Sequence, residues 1–312
     1  MKSNSSPILF SVMTVESLTN GKKQDILFEN ETRGWQRMKS ERIRLQKLYN
    51  TRDLGGMKTA DGRTIKKNCL IRSGQLYAAT VEDIETLRSC GVIQILDLRT
   101  AQEKKEKPDP QIAGAGYVHM PILTDMMQGI TREEAADKQI LSQEKMFAGI
   151  GENPELMIKY MTKVYQLFVM DEHAIAQYAR FLNLILENES GATLWHCVGG
   201  KDRAGFGAVL VQECLGVSRE DIMEDYLFTN ECLKTESDQM FASMKAQYHI
   251  TSDEEAAKLE KVVQAIHAAK EEYLNGIYQR VEETHGNFKT FLEKALGMGE
   301  DKIAKMRERF LV

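Results

Sequence analysis

The stretch LWHCVGGKDRAGF, residues 194–206, constrains the fold more than any other part of the chain. An apolar run ends in His196 and Cys197. Val198, Gly199, Gly200, Lys201 and Asp202 follow, and Arg203 opens a second apolar run with Ala204. Such a pattern reads as a strand, a tight loop and a helix N-terminus. Backbone N–H groups converge there and the helix dipole adds partial positive charge, so the turn is a cradle for an anion. Gly199 and Gly200 admit backbone angles closed to other residues. The Arg203 guanidinium offers a fork that matches two phosphate oxygens. A thiol in so electropositive a place ionises more readily than a free one, and a thiolate beside a phosphate ester is a nucleophile. The implied chemistry is transfer of a phosphoryl group to sulfur, then hydrolysis by water. A carboxylic acid would protonate the leaving alkoxide.

The flanking pattern supports an open sheet. VIQILDLR (92–99) is β-branched and apolar up to Asp97 and Arg99, as a buried parallel strand should be, and YVHMPIL (117–123) reads as another. ATLWHC (192–197) is the strand that feeds the cradle. Residues 50–76, with turn signals such as Asp61-Gly62, read as a hairpin leading into a strand. Thr80, with Asp83 three residues on, caps a helix predicted to reach about Cys90. Helical spacing marks 154–187, through Leu156, Tyr160, Val164 and Leu167, then Ile175, Tyr178, Leu182 and Ile185. A helix runs from Arg203 to about Leu215, Ser218 caps the next, and 251–312 is helical with a charged, solvated face.

Strands alternating with helices predict an α/β fold, a central mostly parallel sheet flanked by helices. The expected organisation is an N-terminal extension over 1–44 and one domain over 45–312. Within it, 124–170 is a helical insertion near the site, whose Met-rich part is either a lid or an ordinary packed helix.

The net charge of −5 argues against non-specific affinity for nucleic acid or anionic membrane. The first residues are too short an apolar patch to span a bilayer and make a poor signal peptide, so no stable membrane insertion is expected. Five scattered cysteines without a CxxC pair suggest free thiols in a reducing, cytoplasmic setting, with export by another route left open. No metal-ligand spacing is visible, and no metal or cofactor is expected. The sequence does not speak to oligomeric state.

HCVGGKDRAG resembles the HCxxGxxR signature loop of protein tyrosine phosphatases. Its Lys-Asp before the arginine is similar to the atypical bacterial branch of tyrosine/lipid phosphatases. NTRDLGGMKTADGR, IRSGQL, VIQILDLRTAQE, VSREDIMEDYLFTN and GNFKTFLEKALGM resemble further motifs of that branch, so the likeness covers roughly residues 45–312. It implies a tyrosine-phosphatase-like domain that hydrolyses phosphomonoesters through a cysteinyl-phosphate. Phosphotyrosine in a protein is the first substrate, with phosphoserine, phosphothreonine and phosphoinositides in play. Cys197 would be the nucleophile and Arg203 the phosphate binder. Val198, Gly199, Gly200 and Ala204 would line the cradle, and Lys201 would be a second cation for further phosphates. Asp202 is the proposed general acid of this branch, and Asp125, after the 117–123 strand, is the alternative. Ala204 departs from the family's Ser or Thr, whose hydroxyl would ease departure of the cysteine sulfur, so slow thiophosphate hydrolysis is expected.

Supporting roles are expected for His196, beside the loop backbone, and for Asp97 and Arg99, as a loop-bracing ion pair or in catalysis. Arg52, Asp53, Arg72 and Ser73 are read as scaffolding. Asp202 could instead pair with Lys201 or Arg52. Competing functions are a phosphate-binding module without turnover, arsenate reduction and rhodanese-type sulfur transfer. The last two fit less well, because no shuttling cysteine lies within the loop and sulfur transfer does not call for Lys-Asp-Arg.

Overall fold

The computed structural model describes residues 40–124 and 154–312. Six strands, β1 (Glu41–Arg42), β2 (Arg52–Asp53), β3 (Leu70–Ser73), β4 (Val92–Asp97), β5 (Gly116–His119) and β6 (Ala192–His196), form one sheet in the order β1-β2-β3-β6-β4-β5. The pairs β3–β6, β6–β4 and β4–β5 are parallel, while β1 and β2 extend one edge antiparallel. The alternation of a strand explains how the apolar runs are used. Leu70, Leu96 and Trp195 enter a large core on one face, and Ile71, Ile95 and Leu194 enter a smaller core on the other.

The smaller core is covered by α1 (Val81–Ser89), whose Leu87 packs there and whose Thr80 and Asp83 form the expected capping box. A short helix not foreseen in the sequence, α2 (Ala101–Glu106), follows β4. The 154–187 region is two helices, α3 (Pro154–Met170) and α4 (Glu172–Glu187). The apolar spacing continues across the break, but Asp171 leaves the helical path and accepts from the Ala174 N–H as an N-cap. β5 is shorter than the expected strand. It ends before Pro121, which has no N–H to donate, although Met120 and Ile122 still donate to Asp97 and Leu98.

After β6 come α5 (Arg203–Leu215), α6 (Arg219–Cys232), α7 (Lys234–Gln247), α8 (Asp253–His267), α9 (Glu271–His285), α10 (Phe288–Lys294) and α11 (Glu300–Phe310). Every residue of α5 except Glu213 is buried, so this is a central helix covered on all sides, mostly apolar but carrying the buried polar groups of Arg203 and Gln212. Asp125 and most of the Met-rich stretch lie outside the described residues. No described helix is long and apolar enough to cross a membrane.

Two buried arginines tie the antiparallel edge to α6. The Arg72 Nη1 lies 3.1 Å and the Arg52 Nη2 3.7 Å from Oδ2 of Asp225, with all three side chains almost wholly buried. Gln212 donates to the same oxygen at 3.2 Å, and Ser40 donates to Oδ1 through both its backbone N–H and its hydroxyl. Burial pushes the Asp225 carboxyl up, but Arg52, Arg72 and Ser40 outweigh it and hold it below the usual carboxylate range. A carboxylate depressed on folding contributes stability that is complete above about pH 4 and lost as pH falls below that. The urea midpoint should therefore stay level from pH 8 to 5 and drop below pH 4. Asp225→Asn should lose about 3–5 kcal/mol at neutral pH, because two buried cations lose their counter-charge, and should flatten the acid slope.

Candidate active site

The loop from Cys197 to Asp202 is shaped by what its carbonyls reach outside it. Val198 O accepts from the Gln75 N–H at 2.9 Å, Gly199 O from Asn50 Nδ2 at 2.9 Å and Gly200 O from Arg72 Nη2 at 2.8 Å. In a trans peptide the N–H points opposite to the preceding carbonyl. Outward carbonyls therefore turn the N–H groups of Gly199, Gly200 and Lys201 inward, beside the N-terminus of α5. Gly200 has φ +68°, and a Cβ there would lie 2.6 Å from Ser73 O, so glycine is required twice over. Cys197 is 1% exposed at the start of this arc, and Arg203 is 8% exposed at its end.

Arg203 is gripped by a residue the sequence reading missed. Glu103 of α2 takes both guanidinium arms, at 2.6 and 2.9 Å. Its backbone N–H also donates to Thr100 Oγ1, and its carboxylate accepts from the Thr100 N–H. The Thr-x-x-Glu spacing of a capping box was the available signal for this helix. Burial works against the Arg203 charge, but Glu103 and the nearby Cys197 and Asp202 hold the guanidinium above its ordinary value, so it stays cationic.

Behind the cysteine lies a second buried polar group. Arg99 forks onto Asp97 with both contacts at 2.9 Å and reaches Asp109 at 2.5 Å. His196 Nε2 lies 3.1 Å from Asp109 Oδ2, and its Nδ1 is 3.3 Å from Cys197 O. Asp109 also accepts from the Leu76 N–H at 3.0 Å, which ties this group to the turn that holds Val198. Burial raises the Asp97 carboxyl, but Arg99, His196 and Tyr117 bring it down to about 2. Asp97, Asp109 and His196 are the one grouping among the described residues with ligand atoms close enough to share a metal ion. The Arg99 cation already engages both carboxylates there.

Asp202 and Lys201 face another way. Asp202 Oδ1 accepts from the Tyr165 hydroxyl at 2.6 Å and lies 3.1 Å from Lys201 Nζ. Lys201 is 3% exposed, and its ammonium donates to Ile266 O at 2.6 Å and Ala268 O at 3.3 Å, just past α8. Its hydrogen bonds are thus spent on the helical half of the chain. Arg52 pairs with Asp225, not Asp202. Ala204 is fully buried, and its carbonyl accepts from Trp195 Nε1 at 2.9 Å. All five cysteines are free, and burial pushes the Cys214 thiol up to about 12.

Residues 43–312 match the Tyrosine phosphatase family. The chain belongs to it. This phosphatase is 27% identical over 269 residues to a Cupriavidus necator protein whose name gives tyrosine-protein phosphatase as its expected activity, covering 85% of this chain and 86% of that one. It is 25% identical over 269 residues to the triple specificity protein phosphatase PtpB of Mycobacterium tuberculosis, covering 83% of this chain and 95% of that one. A tyrosine-protein phosphatase of Nostoc commune matches at 25% over 174 residues, 54% of this chain and 51% of that one. The phosphatase is a hydrolase of phosphomonoesters with an α/β fold, as the signature loop and its flanks implied.

Glu103→Gln should keep the cap but weaken the grip on Arg203. Steady-state assays should show kcat/KM on an aryl phosphate falling by about tenfold or more, with a melting temperature lower by several degrees, because a largely buried arginine loses its counter-charge. Gly200→Ala should fail more severely, losing activity by at least about 100-fold together with several degrees of melting temperature, since the added Cβ collides with Ser73 backbone.

Proposed function

We propose that Cys197 is the nucleophile, Arg203 the phosphate-binding cation and Asp202 the general acid of this phosphatase. The observation that carries this reading is the arc of inward N–H groups strung between Cys197 and Arg203, made by the three outward carbonyls. In the first step the Cys197 sulfur attacks phosphorus and the ester P–O bond breaks. The leaving oxygen takes its proton from Asp202. The loop N–H groups and Arg203 hold the equatorial oxygens, where charge is spread in the transition state. In the second step Asp202 takes a proton from water, the water oxygen bonds to phosphorus, and the sulfur leaves as thiolate with inorganic phosphate released.

Phosphotyrosine is the proposed first substrate. A sulfur buried to 1% exposure at the floor of a loop is best reached by a long aryl ester. Phosphoserine, phosphothreonine and phosphoinositides are proposed as further substrates. The likeness to a triple specificity phosphatase over 95% of that protein's length supports this range for protein substrates. Lys201 would contribute to it through its charge rather than by direct contact, given the carbonyls it already serves.

The test is hydrolysis of an aryl phosphate in the presence of EDTA. Turnover should persist in the wild type and vanish in Cys197→Ser. Asp202→Ala should lose about 10²–10³ in kcat, as expected for removal of a general acid. Ala204→Ser should raise steady-state turnover several-fold and shrink a pre-steady-state burst, because the restored hydroxyl eases departure of the sulfur. A Cys197→Ser variant that turns over would remove the covalent route, and a wild type without a burst would remove the role given to Ala204.

A further inference from the structure

Asp202 stands at the N-cap of α5, where an aspartate ordinarily accepts from the helix's own N–H groups. Its side chain makes no such bond. The carboxyl is held off the helix by Tyr165 of α3, which donates to Oδ1 at 2.6 Å, with Lys201 Nζ 3.1 Å from the same oxygen. Among the described residues Oδ2 has no partner, and the Asp202 side chain is 30% exposed. Tyr165 itself is 1% exposed and accepts from the Tyr226 hydroxyl at 2.8 Å. The chain of donors thus has a direction, from Tyr226 to Tyr165 to Asp202. Burial first, and the neighbouring Asp202 after it, push the Tyr165 phenol well above its ordinary range, so it remains a donor at any working pH.

We infer that Tyr165 is a positioning residue for the phosphatase reaction, fixing Oδ1 of Asp202 so that Oδ2 is the oxygen that exchanges the proton. The inference rests on the reading of Asp202 as general acid. In the first step the Oδ2–H bond breaks as the ester oxygen gains the proton, and the carboxylate formed keeps its Oδ1 hydrogen bond. In the second step Oδ2 accepts the proton of the attacking water. An unanchored carboxyl would rotate between its two oxygens and lose alignment with the leaving group. The ring of Tyr165 has a separate duty, packing at 5.4 Å from Phe168 and 5.3 Å from Tyr273, so Tyr165→Phe removes the hydroxyl and keeps the packing.

The experiment compares two esters, a dinitrophenyl phosphate whose leaving group needs no proton and phenyl phosphate whose leaving group does. Wild type, Asp202→Asn, Tyr165→Phe, the double variant and Tyr226→Phe are assayed on both. Asp202→Asn should lose about 10²–10³ in kcat on phenyl phosphate and far less on the activated ester. Tyr165→Phe should lose about tenfold on phenyl phosphate alone, with KM unchanged within about twofold on both. The double variant should be no slower than Asp202→Asn, and Tyr226→Phe should fall between Tyr165→Phe and wild type. Equal loss on both esters in Tyr165→Phe, or additivity with Asp202→Asn, would mean a merely structural hydroxyl and would overturn the inference. Absence of the leaving-group effect in Asp202→Asn itself would instead overturn the general-acid reading, and the inference with it. Should Tyr165→Phe prove unfolded by its circular dichroism melt, Tyr226→Phe decides: a selective loss on phenyl phosphate upholds the inference and an equal loss or none overturns it.

Discussion

Asp225 holds the signature loop in shape from outside it. Its carboxylate engages Arg72, whose other nitrogen donates to Gly200 O. Its backbone carbonyl accepts from Arg52, which also donates to Asn50 Oδ1 at 2.6 Å, and Asn50 Nδ2 in turn donates to Gly199 O. Two routes therefore run from one buried aspartate to two consecutive loop carbonyls. Each route turns a carbonyl outward, and so each turns an N–H inward. The balance of charge matters as well. Two buried guanidiniums share one carboxylate, leaving an excess positive charge beneath the cradle. Burial and Arg52 bring Arg72 down to about 10, still cationic at neutral pH. A phosphate bound above would meet that excess in a medium where fields are weakly screened.

The opposite wall is built on the reverse balance. Asp97 and Asp109 surround Arg99, and His196 completes the group beside the Cys197 carbonyl. Buried ionic groups of this kind add little to stability for their desolvation cost, and breaking one partner is expensive. Their return here is geometric. Asp109 reaches the Leu76 N–H while the adjacent Gln75 N–H reaches Val198 O, so this group sets the third loop carbonyl. Glu103 then sets Arg203 from a helix of its own. Every carbonyl from Val198 to Gly200, and the cation at the loop's end, has an outside partner.

What could be read from the sequence was local, and what could not was long-range. The strands at 92–97 and 192–196 announce themselves because mostly apolar, β-branched and aromatic residues are packed into short, largely buried runs, with Gln94 and Thr193 the polar interruptions. The cradle announces itself because glycine, cysteine and arginine sit within one turn. Asp225 gives no such signal. It lies inside a helix of ordinary acidic appearance, and its meaning depends on Arg52 and Arg72 arriving from the far edge of the sheet. Tyr165 gave no signal because it lies off the spacing read for α3: Val164 and Leu167 are only half-buried, and Tyr165, Phe168 and Val169 form the buried face. Glu103 was legible, through Thr100 and the capping box, but a helix of six residues is too short to show a period. The break at Asp171 hid for the opposite reason, since the apolar period runs straight through it.

Lys201 shows why the helical half belongs to the site. Its charge, read from the loop alone, suits a second phosphate. Its ammonium instead serves the carbonyls of Ile266 and Ala268 and lies 5.8 Å from the Tyr273 ring. That junction is itself fixed, because Asn230 of α6 donates to Ala269 O and accepts from the Ala269 N–H. Tyr273 closes the same junction by donating to Ala265 O at 2.7 Å. The end of α8, the start of α9 and the signature loop are thus one hydrogen-bonded unit, with Lys201 as its link and Asp202 beside it. The charged surface of the C-terminal helices is solvated, as their sequence suggests, but their buried side sets where Lys201 and hence Asp202 can stand. Lys201→Met would remove the donor while keeping the length of the stem. Asp202 would then lose the ammonium beside Oδ1 and keep the Tyr165 hydrogen bond.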